Sequence, residues 1–437
     1  MIFDPAETMS VDERASLQLT RLRALVDRLL RVNGEQAARL KEAGIDAGAG
    51  ITLGDLPGLP TLAKPDLWAA YPFGMLAVPL EDCVCVHGSS GTGGRPTLMP
   101  YTSNDLDLWA HVMARSLAGA GATRQSVIHN AYGYGLFTGG LGVHHGARAL
   151  GAMVVPMSGG NTARQLRLIQ DLRPDVLTCT PSYAVFLGET ARAEGIDPTS
   201  LGLRIGLHGA EPWTEAMRQQ IELLLGIRAL DIYGLSEVIG PGVACETPDS
   251  GGWLHVQEDH FLVEVLDPQT GAVVPDGELG ELTFTTLTRE ATPLLRYRTG
   301  DLARLSREPS PDGRTTVKMS KVVGRVDDML VVRGINVYPS EVEAVVLADP
   351  QVGPQYLIVV DARTALPRLV VCCEPSSSTV DDLEIAPRLR GALARRLGIG
   401  CEVRVGEAGS LPRTELGKAQ RVIRWEGGPA PLPGLDP

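Results

Sequence analysis

No stretch of the 437-residue chain approaches the ~20 consecutive apolar residues that a membrane-crossing helix needs. Positive charge is in the minority, with 40 Lys and Arg against 52 Asp and Glu and a net charge of −12. That balance excludes a broad nucleic-acid or anionic-membrane surface and leaves room only for a local basic pocket. Aromatic residues make up 5%. The seven cysteines (Cys83, Cys85, Cys179, Cys245, Cys372, Cys373, Cys401) are odd in number and have no framework spacing. This excludes a disulfide-stapled secreted protein and fits reduced thiols. Met1–Glu13 is acidic and lacks the basic-then-apolar shape of a signal peptide, so a cytoplasmic protein is expected. There is no internal repeat, no Walker-type phosphate loop, and no G-x-G-x-x-G after an early strand. The last absence argues against a dinucleotide-binding oxidoreductase.

What is present is an ordinary globular composition, 44% hydrophobic and 21% charged, with 50 Gly and 31 Pro marking many tight turns. The length suits roughly two to three domains. Leu17, Leu19, Leu22, Leu25, Val26, Leu29 and Leu30 recur at helical spacing near the start. From Val84 to Tyr233, strand-like runs (Ser126–His129, Met153–Pro156, Val176–Thr178, Leu203–Leu207) alternate with helical ones (Thr162–Asp171, Tyr183–Glu194, Thr214–Leu225). Such alternation implies an α/β fold with a mostly parallel sheet. After about Gly252 the rhythm changes to strands at Phe261–Leu266, Glu281–Thr286 and Arg296–Leu305, an antiparallel or barrel-like part. Beyond Arg325 the order β-α-β-β-α-β fits a small ferredoxin-like unit. Its strands are expected at Met329–Val332, Leu357–Asp361, Leu366–Glu374 and Glu402–Val405, and its helices at Ser340–Leu347 and Leu383–Leu397. Ser340 and Glu343 are expected to form a capping box.

The chemistry-bearing stretches begin with His87-Gly-Ser-Ser-Gly-Thr-Gly-Gly-Arg-Pro-Thr97. Small residues let backbone N–H groups converge on an anion, Ser89, Ser90 and Thr92 add hydroxyls, and Arg95 adds charge. By composition alone it could equally be a flexible surface loop. Asp231-Ile-Tyr-Gly-Leu-Ser-Glu237 places a carboxylate after a strand and turn. Tyr297-Arg-Thr-Gly-Asp301 sets a carboxylate after a glycine turn, suited to hydroxyl groups, and Gly324-Arg-Val-Asp-Asp-Met-Leu-Val-Val-Arg-Gly334 joins the two parts of the chain.

Taken in this order, the four stretches resemble the adenylate-forming superfamily of acyl-CoA synthetases, adenylation domains and luciferases. Tyr71-Pro-Phe-Gly-Met75, Asn130-Ala-Tyr-Gly-Tyr-Gly-Leu-Phe-Thr-Gly-Gly140, Thr180-Pro-Ser-Tyr-Ala184, Gly209-Ala-Glu-Pro-Trp213, Tyr233-Gly-Leu-Ser-Glu-Val-Ile-Gly-Pro-Gly242, Glu258-Asp-His-Phe-Leu-Val-Glu264 and Leu411-Pro-Arg-Thr-Glu-Leu-Gly-Lys418 look like the phenylacetate–CoA ligase family, from about Met9 to Val422. The resemblance implies a large N-terminal adenylation domain (1–326) and a mobile α+β C-terminal domain (327–437) carrying the catalytic lysine. It implies ATP-dependent activation of an aromatic acid to an aryl-AMP, then transfer to coenzyme A. Lys418 would bridge the two reacting anions, and Glu237 would hold Mg²⁺. Asp301 would take the ribose hydroxyls and Arg325 would reinforce the nucleotide contact. Ser89, Ser90, Gly91 and Thr92 would cradle phosphate. Gly209, Ala210, Glu211 and Pro212, with Asp231, Ile232, Tyr233, Gly234 and Ser236, would surround the nucleotide. Asp327 would be the hinge. Tyr132, Tyr134, Phe137, Ala210, Ile232 and Pro241 would line the acyl pocket, with ordinary core packing as the competing reading.

The chain departs from the family at two places. Gly93 and Arg95 stand where relatives commonly carry threonine and lysine, so one hydroxyl is lost and a fork replaces a point charge. A Cys-Pro-Cys-Gly-Arg-Thr-His segment of many relatives, which looks metal-binding, is Ser310-Pro-Asp-Gly-Arg-Thr-Thr316 here. No structural zinc is therefore expected. Cys83, Cys85 and His87 share a strand face at period two, without an evident fourth ligand. Three alternatives stay open: an aryl-acid adenylating enzyme that hands its product to a carrier protein or other nucleophile, an inactive nucleotide-binding regulator, and the oxidoreductase already disfavoured. A homodimer is compatible with the sequence but not indicated by it.

Overall fold

The computed structural model describes every residue except 33, 90–95, 333–334, 364–366, 378–383, 414–418 and 433–437. Its main elements run α1 (Val11–Val32), α2 (Gly34–Glu42), α3 (Lys64–Ala69), β1 (Cys83–Gly88), β2 (Leu98–Thr102), α4 (Ser103–Ala120), β3 (Val127–Asn130), α5 (Thr138–Leu150), β4 (Met153–Val155), α6 (Thr162–Leu172), β5 (Val176–Cys179), α7 (Pro181–Ala193), β6 (Ile205–Gly209), α8 (Glu215–Leu225), β7 (Arg228–Leu235), β8 (Gly240–Glu246) and β9 (Leu254–Val256). They continue with β10 (Phe261–Leu266), β11 (Gly280–Thr286), β12 (Tyr297–Ala303), β13 (Leu305–Ser306), β14 (Lys318–Met319), β15 (Gly324–Arg325), β16 (Leu330–Val332), β17 (Ile335–Val337), α9 (Pro339–Val346), β18 (Val352–Asp361), β19 (Arg368–Pro375), α10 (Ile385–Leu397), β20 (Glu402–Val405) and β21 (Val422–Trp425). The elements divide into two compact units, one made of Met1–Cys179, Leu201–Ala210 and Arg228–Lys321, the other of Thr180–Ser200, Glu211–Ile227 and Val322–Pro437. No helix among the described residues is long and apolar enough to cross a membrane.

The first unit is built on a nine-stranded sheet in the order β13-β14-β9-β8-β7-β6-β5-β3-β4. Strands β4, β3, β5, β6 and β7 run parallel, and β8, β9, β14 and β13 extend the sheet antiparallel from β7. The apolar runs at β5 and β6 are buried along their length, and β3 from Ile128 onward, as strands at the centre of a parallel sheet are. Helices α4 and α5 pack closely, and glycine makes this possible: a Cβ on Gly146 would lie 2.4 Å from Met113 Cβ. The leucine stripe of α1 buries Leu22, Leu25, Val26 and Leu29 in a cluster with Leu40, Ile51 and Leu295. Strands β10, β11 and β12 pair antiparallel, as the change of rhythm after Gly252 implies.

In the second unit the expected ferredoxin-like order is corrected. Leu330–Val332 forms a hairpin with β17 instead of joining the sheet. The four-stranded sheet runs β20-β19-β18-β21, so its fourth strand is Val422–Trp425 near the chain end. Strand β18 pairs antiparallel with β19 and parallel with β21. Trp425 drives this choice, packing with Leu357, Val359, Val370, Cys372 and Leu411. The capping box is corrected as well. Glu341, not Glu343, accepts from the N–H of Tyr338 at the start of α9, at 3.4 Å, and the Ser340 hydroxyl donates to the carbonyl of Val323. Glu343 is drawn inward by two stronger donors, the N–H of Thr214 at 2.9 Å and the Tyr356 hydroxyl at 2.5 Å.

Candidate active site

In the first unit the sequence-predicted residues gather at the ends of β1, β6, β7 and β12. Strands β1 and β2 form an antiparallel hairpin. Ser89 closes the base of its loop, with its N–H donating to Thr97 O at 3.1 Å and its hydroxyl accepting from the N–H of Thr97 at 3.4 Å. Ser90, Gly91 and Thr92 lie outside the described residues. Behind the hairpin, His87 meets Tyr101 and Trp109 edge-on, with centroids 5.4 Å apart in each case. Burial depresses the pKa of its imidazole and so favours the neutral ring.

Gly209 and Ile232 are neighbours across β6 and β7, and a Cβ on Gly209 would fall 2.2 Å from Ile232 O, so only glycine fits. Ala210 follows at φ +72°, a left-handed conformation uncommon outside glycine. Gly234 is equally constrained, its Cβ position lying 2.0 Å from Gly240 O, opposite Pro241 in the β7–β8 register. The N–H of Asp231 donates to Glu246 Oε2 at 2.9 Å. Tyr233 stacks on Phe284 and donates its hydroxyl to Asp301 Oδ2 at 2.7 Å; the expected glycine turn before Asp301 is instead an irregularity inside strand β12, where Gly300 takes φ +81°. The Ser236 hydroxyl meets Thr138 Oγ1 at 3.2 Å and donates to Gly88 O at 3.4 Å, tying the turn after β7 to the end of β1.

Glu237 is only 4% exposed. Arg289 anchors its backbone by donating to the carbonyls of Glu237 and Val238 at 2.8 and 2.6 Å while lying over the Tyr101 ring. Its side-chain oxygen stands 3.6 Å from Lys64 Nζ on α3. Sequence reading passed over Lys64. The signal available was a lysine beside proline at a helix start, shortly before the Tyr71-Pro-Phe-Gly-Met75 run, and nothing in it marked a partner 173 positions on. A buried carboxylate with one cation beside it offers the hard oxygen donors that Mg²⁺ takes.

The acyl-pocket candidates behave differently from one another. Tyr132 is buried with its ring against Gly139, whereas Phe137, at the N-terminus of α5, is 51% exposed. Tyr134 is engaged locally: Asn130 Nδ2 donates to its hydroxyl at 2.8 Å, and His144 lies edge-on at 5.9 Å. Pro241 accepts at its carbonyl from Trp109 Nε1 at 3.0 Å.

The stretch Ser310–Thr316 takes part in a closed polar network with His255. His255 Nδ1 meets Thr316 Oγ1 at 3.1 Å and Nε2 meets Ser310 Oγ at 3.2 Å, with Asp312 3.6 Å away. Arg314 binds Asp312 at 2.6 Å and Glu7 at 2.7 Å. Cys245 donates to Ser116 O instead. Cys85 Sγ lies 3.5 Å from His87 Nε2. Among the described residues no three His, Cys, Asp or Glu side chains are grouped to hold a metal ion.

In the second unit, Arg325 and Asp327 pair with each other through bonds of 2.8 and 3.2 Å. Pro212 is exposed. The Glu211 carboxylate accepts from the N–H groups of Ser182 at 2.8 Å and Ala419 at 3.0 Å. Lys418 lies outside the described residues.

Residues 14–287 match the family of AMP-binding enzymes, and residues 334–424 match the AMP-binding enzyme C-terminal domain. The chain is 48% identical to phenylacetate–coenzyme A ligase of Thermus thermophilus, over 97% of this chain and 99% of that one. It is 45% identical to phenylacetate–coenzyme A ligase of Escherichia coli, over 96% and 97% respectively. Among solved structures, 2-hydroxyisobutyryl-CoA ligase in its postadenylation state with 2-HIB-AMP superposes with a TM-score of 0.90 at 29% identity, covering 96% of this chain and 91% of that one.

Proposed function

The chain belongs to the phenylacetate–coenzyme A ligase family of AMP-binding enzymes, and from that premise we propose that it converts an aryl carboxylic acid of the phenylacetate class into its coenzyme A thioester at the expense of ATP. The observation that carries the proposal is identity of 45–48% across nearly the whole length of the chain to ligases of that name. In the first step a carboxylate oxygen attacks the α-phosphorus and pyrophosphate leaves. In the second the coenzyme A sulfur attacks the acyl carbon, AMP leaves and the thiol proton is released.

The residues take roles that follow from their chemistry. Two anions must meet in the first step, so a fixed cation lowers the barrier directly. Lys418 is that cation in this reading. Ser89, Ser90, Gly91 and Thr92 receive phosphate oxygens. Asp301, oriented by Tyr233, accepts the ribose hydroxyls, while Gly209, Ala210, Glu211, Pro212, Asp231, Ile232, Gly234 and Ser236 surround the nucleotide. Arg325 supports the nucleotide and Asp327 is the hinge between a domain ending at 326 and one beginning at 327. Glu237 holds Mg²⁺, which when bound supplies charge neutralisation on the phosphates, and the chain carries no structural zinc. Tyr132, Tyr134, Phe137, Ala210, Ile232 and Pro241 form a flat, mostly apolar acyl slot. Such a slot favours planar acids by burial, about 25 cal/mol per Å² of apolar surface. It offers no Lys or Arg to a second buried charge. Coenzyme A is taken as the acceptor over a carrier protein because the near-full-length relatives are coenzyme A ligases. A cytoplasmic location belongs to the same reading and agrees with seven cysteines that form no disulfide.

Acid-dependent ATP–pyrophosphate exchange over a panel of acids, with and without coenzyme A, tests the proposal. Phenylacetate- or benzoate-like acids are expected to exceed acetate and long-chain fatty acids by at least about tenfold in kcat/KM, some 1.4 kcal/mol. An aliphatic acid ranked first would refute the aryl assignment.

A further inference from the structure

Glu211 stands in the Gly-Ala-Glu-Pro-Trp run, where a nucleotide-enclosing role accounts for its position but not for its bonds. One carboxylate oxygen accepts from the N–H of Ser182, in the first turn of α7, at 2.8 Å. The other accepts from the N–H of Ala419 at 3.0 Å, and Ala419 is the residue that follows Lys418. Both donors are backbone groups, so the grip is on the course of the chain and not on any particular side chain. Hydrogen bonds to an ionised acceptor are the stronger kind.

The neighbouring contacts show that this grip is one of a set. Arg421 lies over the Tyr356 ring at 4.5 Å and donates to Gln355 Oε1 and Tyr356 O at 3.3 and 3.2 Å. From Val422 onward the chain is held by β18 in parallel register. Ahead of the lysine, Glu374 accepts from Arg413 at 3.0 and 2.8 Å and from the N–H of Leu411. In the reverse sense, Glu343 of α9 accepts from the N–H of Thr214, three residues after Glu211. One carboxylate therefore fixes the chain before residues 414–418 and another fixes it after them.

We propose that Glu211 is a positioning residue for adenylation: by holding the Ala419 N–H against the start of α7, its carboxylate fixes the backbone that carries Lys418 when the acyl-adenylate forms. The proposal rests on the reading of Lys418 as the bridging cation. It is distinct from a contact between Glu211 and the base, because a positioning role acts on turnover and a base contact acts on nucleotide affinity.

The test compares Glu211→Gln, in which an amide NH₂ replaces one acceptor, and Glu211→Asp, which keeps the charge but shortens the reach. Three quantities are measured on the full chain: pyrophosphate exchange with phenylacetate, thioester formation from supplied phenylacetyl-adenylate and coenzyme A, and amide hydrogen exchange in peptides covering Ala419. The expected result is a loss of about tenfold or more in exchange kcat, since a bond to a charged acceptor is lost. The loss should fall more heavily on exchange kcat than on the KM for ATP or on thioester formation, and Ala419 should exchange faster. A second half-reaction less affected than the first reports that the variants are folded. A raised KM for ATP at unchanged kcat would reduce Glu211 to a base contact, equal losses in both half-reactions would reduce it to a structural residue, and unaltered hydrogen exchange would remove the grip itself. Lys418→Ala run in parallel separates the two readings. It should lose about 10²–10³ in pyrophosphate exchange, as removal of one transition-state charge donor does. If it does not, the lysine reading fails; if it does and the Glu211 variants do not, the positioning role alone fails.

Discussion

A single histidine shows how burial sets the pH behaviour of this fold. His255 is 4% exposed, and burial holds its imidazole down to about 4 from an ordinary 6.5. Arg314 and Lys318 push the same way and Asp312 opposes them. Between pH 6.5 and about 4 the unfolded chain therefore carries a proton that the folded chain refuses. The sign follows: unfolding takes up protons in that window, so stability is full above it and declines as the pH falls through it. His255→Gln, which can still bond Thr316 and Ser310, should flatten the decline by up to about 1.4 kcal/mol per pH unit. Denaturant titrations of both proteins at pH 7, 5.5 and 4.5 measure it. Parallel curves would show that the network tolerates a charged imidazole. At this scale the sequence was informative about chemistry and silent about partners. Asp301 stood out in the sequence as a candidate, but the Tyr233 hydroxyl that bonds it did not, because the two lie on separate strands. Lys64 was missed for the same reason, and Glu343 was assigned to a cap when buried donors from elsewhere in the chain outcompete the local one.

At the scale of elements, glycine distinguishes helices that pack from helices that merely form. On α5, a methyl added at Gly146 would meet Met113 Cβ at 2.4 Å and the Met113 carbonyl carbon at 2.9 Å. Gly391 on α10 has only the end of the Arg395 side chain at 3.5 Å. Gly146→Ala should therefore destabilise by about 1–3 kcal/mol through overpacking. Gly391→Ala should stabilise by about 0.5–1 kcal/mol, because alanine is the better helix former and nothing must move. Chemical denaturation of the two variants should give opposite signs, and a shared sign would show that propensity outweighs packing at α5 or the reverse at α10. Elements with strong periodicity (α6, α8, β3, β5 and β10) were legible within a few residues, and α1 by its apolar stripe. Strand β21 was not, since its four residues have too short a pattern to announce a strand, and only burial of Trp425 against β18 and β19 makes it one.

At the scale of the whole molecule, the polar network around His255 ties distant segments of the chain together by charge and hydrogen bonding. The Asp312 carboxylate receives Thr247 Oγ1 at 2.8 Å and the Arg314 guanidinium at 2.6 Å, and Arg314 reaches on to Glu7 near the N-terminus. Glu7, Asp312 and Arg314 thus join segments 300 residues apart without thiol ligands. Purified protein is expected to contain no stoichiometric zinc, and activity to require Mg²⁺. Elemental analysis together with chelator treatment and selective metal restoration checks both. One zinc per chain would overturn the first expectation and direct attention to Cys83, Cys85 and His87.

The sequence by itself determined the family and the α/β order of the large unit, and it singled out candidate site residues. These depend on local patterns and on motifs whose members are close together in the chain. Only the tertiary structure decided which strand completes the second sheet, which donors claim Glu343, and that Lys64 stands beside Glu237. It also decided that Glu211 joins α7 to the backbone after Lys418. In each of these cases the competing partners lie far apart in sequence, and the outcome is set by which buried polar or aromatic group can be satisfied in three dimensions, a quantity no local pattern encodes.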